Sequence, residues 1–213
     1  MVGGSGLVGR KAAARLAARD DVSLLSFVRG EPTTAYERSL DFEGLLHDGG
    51  ELLGFDHVDV AISCLGTTMR QAGSKGAFRR VDHDYVYAFA RAARRFGARQ
   101  FILVSSAGAS RSAFTYYLSV KGEVEAVVAR LDYERVDVIR PGLLLGRRRE
   151  FRAAERLASS VLPWFDPLFR GAYRRYRSTP VSCVADAIAD LTGAAVPGRY
   201  LYENPELDLL RRR

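Results

Sequence analysis

Apolar and polar positions along the chain switch between two periods, and each switch marks an element. After a glycine-rich opening, alanines and leucines recur at helical spacing over residues 10–19. Residues 22–28 form an apolar run of strand length, which predicts a second strand, and Leu40-Asp41-Phe42 reads as a short third strand. A stronger strand covers 57–65 and is closed by Gly66-Thr67-Thr68. Residues 70–79 are polar and carry glycine, which predicts a loop or lid. The helical period returns over 81–96, with Val81, Tyr85, Phe89 and Ala92 or Ala93 on the apolar side. A fifth strand at 101–104 ends in Ser105-Ser106-Ala107-Gly108, a helix then carries Tyr117 and Lys121 on to residue 131, and a sixth strand at 136–139 is closed by Arg140-Pro141-Gly142. Strand and helix alternate throughout, which predicts an α/β fold: a doubly wound parallel sheet of Rossmann type with helices on both faces.

Only Met1 and Val2 precede the first glycines, although the first strand of such a sheet is central. The expectation is a truncated first strand that lacks roughly four or five residues of the working protein. At 213 residues the chain suits a single nucleotide-binding domain spanning 1–213. Beyond Gly146 the periodicity weakens: 152–161 reads as helix, 162–167 holds two prolines and Trp164, and 184–192 is another short helix. Residues 147–213 are therefore read as a small extension that folds over the carboxyl edge of the sheet and caps a substrate pocket.

Composition narrows the partners. No apolar run approaches about 18 residues and no charged-then-apolar leader opens the chain, which leads to the expectation of a cytoplasmic protein without a membrane partner. Cys64 and Cys183 fit no metal or redox spacing, and His47, His57 and His83 form no ligand cluster, so no metal is expected. The net charge of +7 raises nucleic acid as a partner. Most of that charge is spread over positions such as Arg91, Arg94, Arg95 and Arg99 that suit solvated helix faces, and arginines cluster only at 147–149, 174–177 and 211–213. With no accompanying nucleic-acid motif, none is expected.

Three stretches carry chemistry. Gly3, Gly6 and Gly9 permit a tight turn, a close approach to a pyrophosphate and close packing of the next helix, whose opening amides over Ser5, Leu7 and Val8 would face the phosphates. Arg29 lies twenty residues past Gly9, where an arginine suits a 2′-phosphate and an acid would suit a hydroxyl, so NADP is favoured over NAD. Asp41 and Phe42 would end beside the adenine, and Leu65, Gly66, Thr67 and Thr68 sit at the carboxyl end of a strand, where open α/β sheets bind ligands. Tyr117 and Lys121 are spaced to share one helix face a turn apart, and a cation held beside a phenol favours the phenolate. This chain writes nearly every base as arginine, so a lysine at that place is informative: a compact ammonium reaches ribose hydroxyls where a forked guanidinium fits differently.

With those residues in view the chain resembles the short-chain dehydrogenases/reductases, and most closely the atypical branch typified by the Tat-interacting oxidoreductase-like proteins. The matching pieces are Gly3-x-x-Gly6-x-x-Gly9, Cys64-Leu65-Gly66-Thr67-Thr68, Val81-Asp82-x-Asp84-Tyr85, Ser105-Ser106-x-Gly108-Ala109, Tyr117-x-x-x-Lys121-Gly122-Glu123-Val124-Glu125 and Arg140-Pro141-Gly142. The resemblance implies an NADP-binding fold in which the loop glycines and Arg29 hold the adenosine end, Gly66 and Thr67 flank the cofactor, and Pro141 and Gly142 border the nicotinamide. It implies Tyr117 as acid/base, Lys121 on the ribose, and Ser105 or Ser106 on the carbonyl oxygen, with Ser105 preferred for its twelve-residue separation from Tyr117. The expected reaction is hydride transfer from NADPH to a small-molecule carbonyl substrate by a monomer or homodimer. The rival expectations are an NADPH-binding redox sensor with little turnover, and a basic interaction module using residues 169–177.

Overall fold

A computed structural model describes residues 1–54, 56–145, 171–204 and 206–207. Its strands are β1 Ser26–Val28, β2 Glu37–Ser39, β3 Val60–Ser63, β4 Gln100–Val104, β5 Arg135–Ile139, β6 Leu144–Leu145, β7 Thr179–Pro180 and β8 Gly198–Tyr202. Every pairing is parallel: β1 with β2, the four-stranded order β3-β4-β5-β8, and a small β6-β7 pair beyond the main sheet. Met1 and Val2 join the first two groups. The Val2 N–H donates to Ile62 and its carbonyl accepts from Cys64, both at 2.9 Å, while the Met1 carbonyl accepts from Phe27 at 2.8 Å. The central strand is thus present as two residues laid between β1 and β3.

Pleating decides what each face buries. Ala61, Phe101, Leu103 and Val136 point to one side, where they pack with α5 (Tyr85–Arg95) and α6 (Tyr116–Val128). Ile62, Ile102, Val104 and Ile139 point to the other, against α1 (Leu7–Ala17) and α7 (Val181–Leu191). Alanines are buried on both of these helices, Ala12 and Ala13 on α1 and Ala185 and Ala187 on α7, and the two helices pack against each other. Because all strands run the same way, the loops after Val2, β1, β3, β4 and β5 meet along one edge.

The doubly wound parallel fold stands as read from the sequence, with differences in detail. The third strand is Glu37–Ser39 and not 40–42: Asp41 instead caps the short α2 (Phe42–Leu45), accepting from the Glu43 N–H. The second strand is confined to Ser26–Val28, since paired ladder bonds reach only that far. Residues 70–79 are not a loop, for α3 (Met69–Ala72) and α4 (Lys75–Arg79) are formed there, each capped by a hydroxyl, Thr68 and Ser74. A strand missed from sequence, β8, pairs with β5 and extends the sheet, and α7 covers its second face. Both lie in the stretch expected to cap a substrate pocket, so at least residues 181–202 belong to the core layers. The expected helix at 152–161, the segment 162–167 with Trp164 and the arginines at 147–149 and 211–213 lie outside the described residues.

One buried ionic knot fastens the amino-end edge of the sheet. The Arg135 guanidinium grips Asp137 through Nε and Nη2 at 2.8–3.1 Å and donates to the Val196 carbonyl at 2.7 Å. Gln100 donates to Asp137 and to the Leu191 carbonyl, both at 2.7 Å, tying the end of α7 to β4 and β5. Removing the carboxylate strands a buried cation, so Asp137→Ala is expected to cost about 3–5 kcal/mol in denaturant unfolding. A loss below about 1 kcal/mol would mean that water already satisfies Arg135.

Candidate functional site

The turn after Val2 is shaped by two contacts that admit no side chain. Gly3 has φ of +79°, and a Cβ placed on it would lie 2.4 Å from the Cys64 carbonyl carbon. A Cβ on Gly9 would lie 2.1 Å from the Gly3 carbonyl oxygen, so α1 seats directly on the turn. Gly6 precedes α1 without a side-chain cap, and the first turn of the helix holds no acid, leaving its amides to an external acceptor.

A cleft of about 750 Å³ opens above this turn. Of the residues expected to hold a cofactor, Gly3, Ser5, Gly6, Leu7, Arg29, Phe42, Leu65, Gly66 and Thr67 line it together. Val8 and Gly9 are buried behind it in the α1 packing, Asp41 caps α2, and the Thr68 hydroxyl caps α3. The sequence reading missed Arg10, Lys11, Phe27, Val28, Cys64, Gln71, Ala72, Ala77 and Val81, which also line it. Arg10 and Lys11 follow the glycine motif directly, and that adjacency was the available signal. Arg10, Lys11 and Arg29 give the cleft three cations, and no Asp or Glu stands among its described lining residues. Burial pushes the Cys64 thiol up to about 12, which keeps it protonated.

Lys121 of α6 approaches the Gly66 side of this cleft, although neither it nor Tyr117 is among the residues lining it. Thr115 caps that helix by accepting from the Leu118 N–H at 3.3 Å, which sets Tyr117 in the first turn and Lys121 one turn on. The Tyr117 ring packs on buried Phe78 of α4, centroids 5.6 Å apart. Lys121 is buried, and its Nζ lies 2.8 Å from Asp82 Oδ1. The other Asp82 oxygen accepts from the Thr67 N–H at 2.8 Å. A Cβ on Gly66 would sit 3.6 Å from the ammonium, which places that charge at the cleft wall. Burial alone would lower the lysine's pKa, but Asp82, and then Tyr117, hold it above its ordinary value.

The remaining expected residues sit elsewhere. The Ser105 hydroxyl donates to Glu125, which Arg140 grips at 3.0 and 2.5 Å. Ser106 is half-buried. Gly142 is packed where a Cβ would lie 2.0 Å from the Arg177 carbonyl oxygen, and its N–H donates to Thr179 at 3.0 Å. Pro141 is buried and accepts from the Ala107 N–H at 2.9 Å, so this dipeptide joins the β4 and β5 loops to the later chain. Neither residue is among those lining the cleft. Among the described residues no group of histidine, cysteine and carboxylate is arranged to hold a metal, and no helix is long and apolar enough to cross a membrane.

No family model matches the chain. Individual proteins do. It is 51% identical over 104 residues to the rat protein HTATIP2, a stretch covering 49% of this chain and 43% of that protein. It is 31% identical over 175 residues to the mitochondrial protein FMP52 of Coccidioides immitis, covering 76% of this chain and 71% of the relative. The FMP52 proteins of Debaryomyces hansenii and Candida albicans, also named mitochondrial, match over 56% and 43% of the chain. Those names overturn the cytoplasmic expectation, which rested only on the lack of a recognisable leader. The match spans less than half the length of the rat protein. Among solved structures, the aldohexose dehydrogenase of Thermoplasma acidophilum superposes with a TM-score of 0.67 at 16% identity, covering 98% of this chain and 92% of that one. A short-chain dehydrogenase from Streptomyces avermitilis gives 0.61 at 19% identity, covering 99% and 89%. At such identities the likeness speaks for the fold, and the relatives speak for descent: the chain belongs to the HTATIP2 and FMP52 family of NAD(P)-binding, short-chain dehydrogenase/reductase-like Rossmann proteins.

Proposed function

We propose that this chain is an NADP-dependent oxidoreductase that reduces a small carbonyl compound at Tyr117 and Lys121. The observation that supports this reading is that Gly66 and Thr67, which line one cationic cleft with the glycine turn, also lie against Lys121 of the tyrosine helix and its partner Asp82. The residues present fit a dinucleotide. Amides over Ser5, Leu7 and Val8 would take the pyrophosphate at the uncapped start of α1, the Gly6 N–H being donated to the Gly3 carbonyl at 3.1 Å. Arg29, with Arg10 and Lys11 near, would take a 2′-phosphate. When bound, NADPH supplies the hydride. Lys121 orients the ribose, and the Tyr117 hydroxyl gives its proton to the carbonyl oxygen, its ring held by Phe78. Ser106 is the better choice for the hydroxyl on that oxygen, because Ser105 is occupied by Glu125. The proposed location, following the FMP52 relatives, is the mitochondrion.

A sensor reading is favoured by one observation, that the serine at the expected separation from Tyr117 has its hydroxyl committed to the half-buried Glu125 carboxylate. Tight NADPH binding with no consumption across aldehydes, ketones and quinones would select it.

Tyr117→Phe is expected to lower kcat for any reduced carbonyl by about 100-fold or more while leaving the NADPH Kd within about threefold. Retained turnover would remove the tyrosine from the chemistry. Arg29→Ala is expected to weaken NADPH by about tenfold or more and NADH hardly at all, as suits loss of one charged hydrogen bond. Equal loss for both nucleotides, measured by titration calorimetry, would show that Arg29 does not meet the 2′-phosphate.

A further inference from the structure

On the side of the sheet away from α7, the last strand runs out past its helical cover. The register sets Val136 opposite Arg199 and Val138 opposite Leu201, so these four side chains share that side. Helix α6 covers the first part of it, where Val124 and Val128 pack with Phe101 and Val136. Farther out, Val138 is only half-buried and Leu201 is 48% exposed. Gly122 lets the 108–111 loop lie against α6, since a Cβ there would sit 2.2 Å from the Ser110 carbonyl carbon. Between α6, that loop, the turn Gly171–Tyr176 and β8 there remains a trough of about 730 Å³. It shares no lining residue with the cleft above the glycine turn.

Four guanidinium groups border this trough, those of Arg111, Arg140, Arg175 and Arg199. Glu125 is the single carboxylate among its described lining residues, and Arg140 and Ser105 already hold it. Glu203 lies behind, 3.8 Å from Arg140 and 3.9 Å from Arg175, so four positive charges face two negative ones and two stay uncompensated. Arg199 is anchored on the Tyr133 carbonyl at 2.8 Å. The Arg111 guanidinium has no hydrogen-bond or ion-pair partner among the described residues, and Arg175 Nε is buried without one. Crowding like charges works against the compact state, so stability does not account for the cluster. A bound anion does, for guanidinium donors match the oxygens of a carboxylate or phosphate. The floor between these charges is aliphatic, made by Ala126, Ala129, Val138 and Leu201, and it suits an alkyl body rather than a sugar. We propose that this trough is a second ligand site, which takes an amphipathic organic anion: an alkyl chain lies along that floor, and its carboxylate or phosphate meets Arg111 and Arg175. The site stands independently of the dinucleotide reading.

Titration calorimetry of the native chain with dodecanoate, dodecyl phosphate, dodecanol and inorganic phosphate tests the proposal. At least one dodecyl anion is expected to bind about tenfold or more tighter than dodecanol and inorganic phosphate, because head and chain both contribute. Whichever of the two anions binds tighter identifies the head group. Dodecanol or inorganic phosphate matching the better anion, or no binding by either anion, would overturn the site. Arg111 and Leu201 are exposed, so replacing them leaves the core alone. Arg111→Gln is expected to weaken the better anion about tenfold, as suits loss of a charged hydrogen bond. Leu201→Asp is expected to weaken it at least as much, by setting a like charge on the floor. Arg29→Ala, in the other cleft, is expected to leave its affinity within about threefold. Binding lost in R29A and kept in R111Q would place the anion in the nucleotide cleft and overturn the second site.

Discussion

The backbone of Gly3 lies against the backbone of Cys64 and Leu65 so closely that a single methyl group would have to move the main chain. Much of the molecule follows from that contact. It lets a strand of two residues sit between β1 and β3, sends the chain round into α1 at once, and leaves the first amides of α1 facing the ends of the neighbouring strands. So short a strand has few ladder bonds to hold it; burial of Met1 and Val2 and close packing of α1 on α7 do most of the holding.

The site's electrostatics rest on a division of charge. Arg10, Lys11 and Arg29 surround the outer cleft without an acid among its described lining residues, and long-range attraction for a polyphosphate follows from that arrangement. The inner cation is different in kind. Lys121 is buried and neutralised by Asp82, so it serves as a located hydrogen-bond donor more than as a source of field. In the proposed function that separation would let one cleft attract an anion at its mouth and orient a sugar at its wall.

Legibility in the sequence followed the range of the interactions. The glycine turn and the Tyr117–Lys121 spacing are local, and each appears in the structure where the pattern put it. The strands at 101–104 and 136–139 were legible because they are buried on both faces and largely apolar. The short helices over 70–79 escaped because their polar residues are read as loop unless their hydroxyl caps are weighed. β8 escaped because its exposed Arg199 and Leu201 alternate with partly buried tyrosines at the sheet edge, a pattern that a basic tail hides. Asp82 was visible as part of a matched motif, yet nothing local says that a π turn aims it at a lysine thirty-nine residues away. Ser105 and Gly142 were assigned by separation and motif alone; their side-chain and backbone neighbours, Glu125 and Arg177, are tertiary facts.

The central claim is that the glycine turn and the Tyr117 helix face one ligand. A crystal structure of the native chain with NADPH tests it most directly. The account requires the pyrophosphate over the Ser5-Gly6 turn, a ribose on Lys121 and the nicotinamide ring facing the Tyr117 hydroxyl. Nucleotide bound away from the Gly66-Thr67 wall, or a nicotinamide turned away from Tyr117, would contradict it.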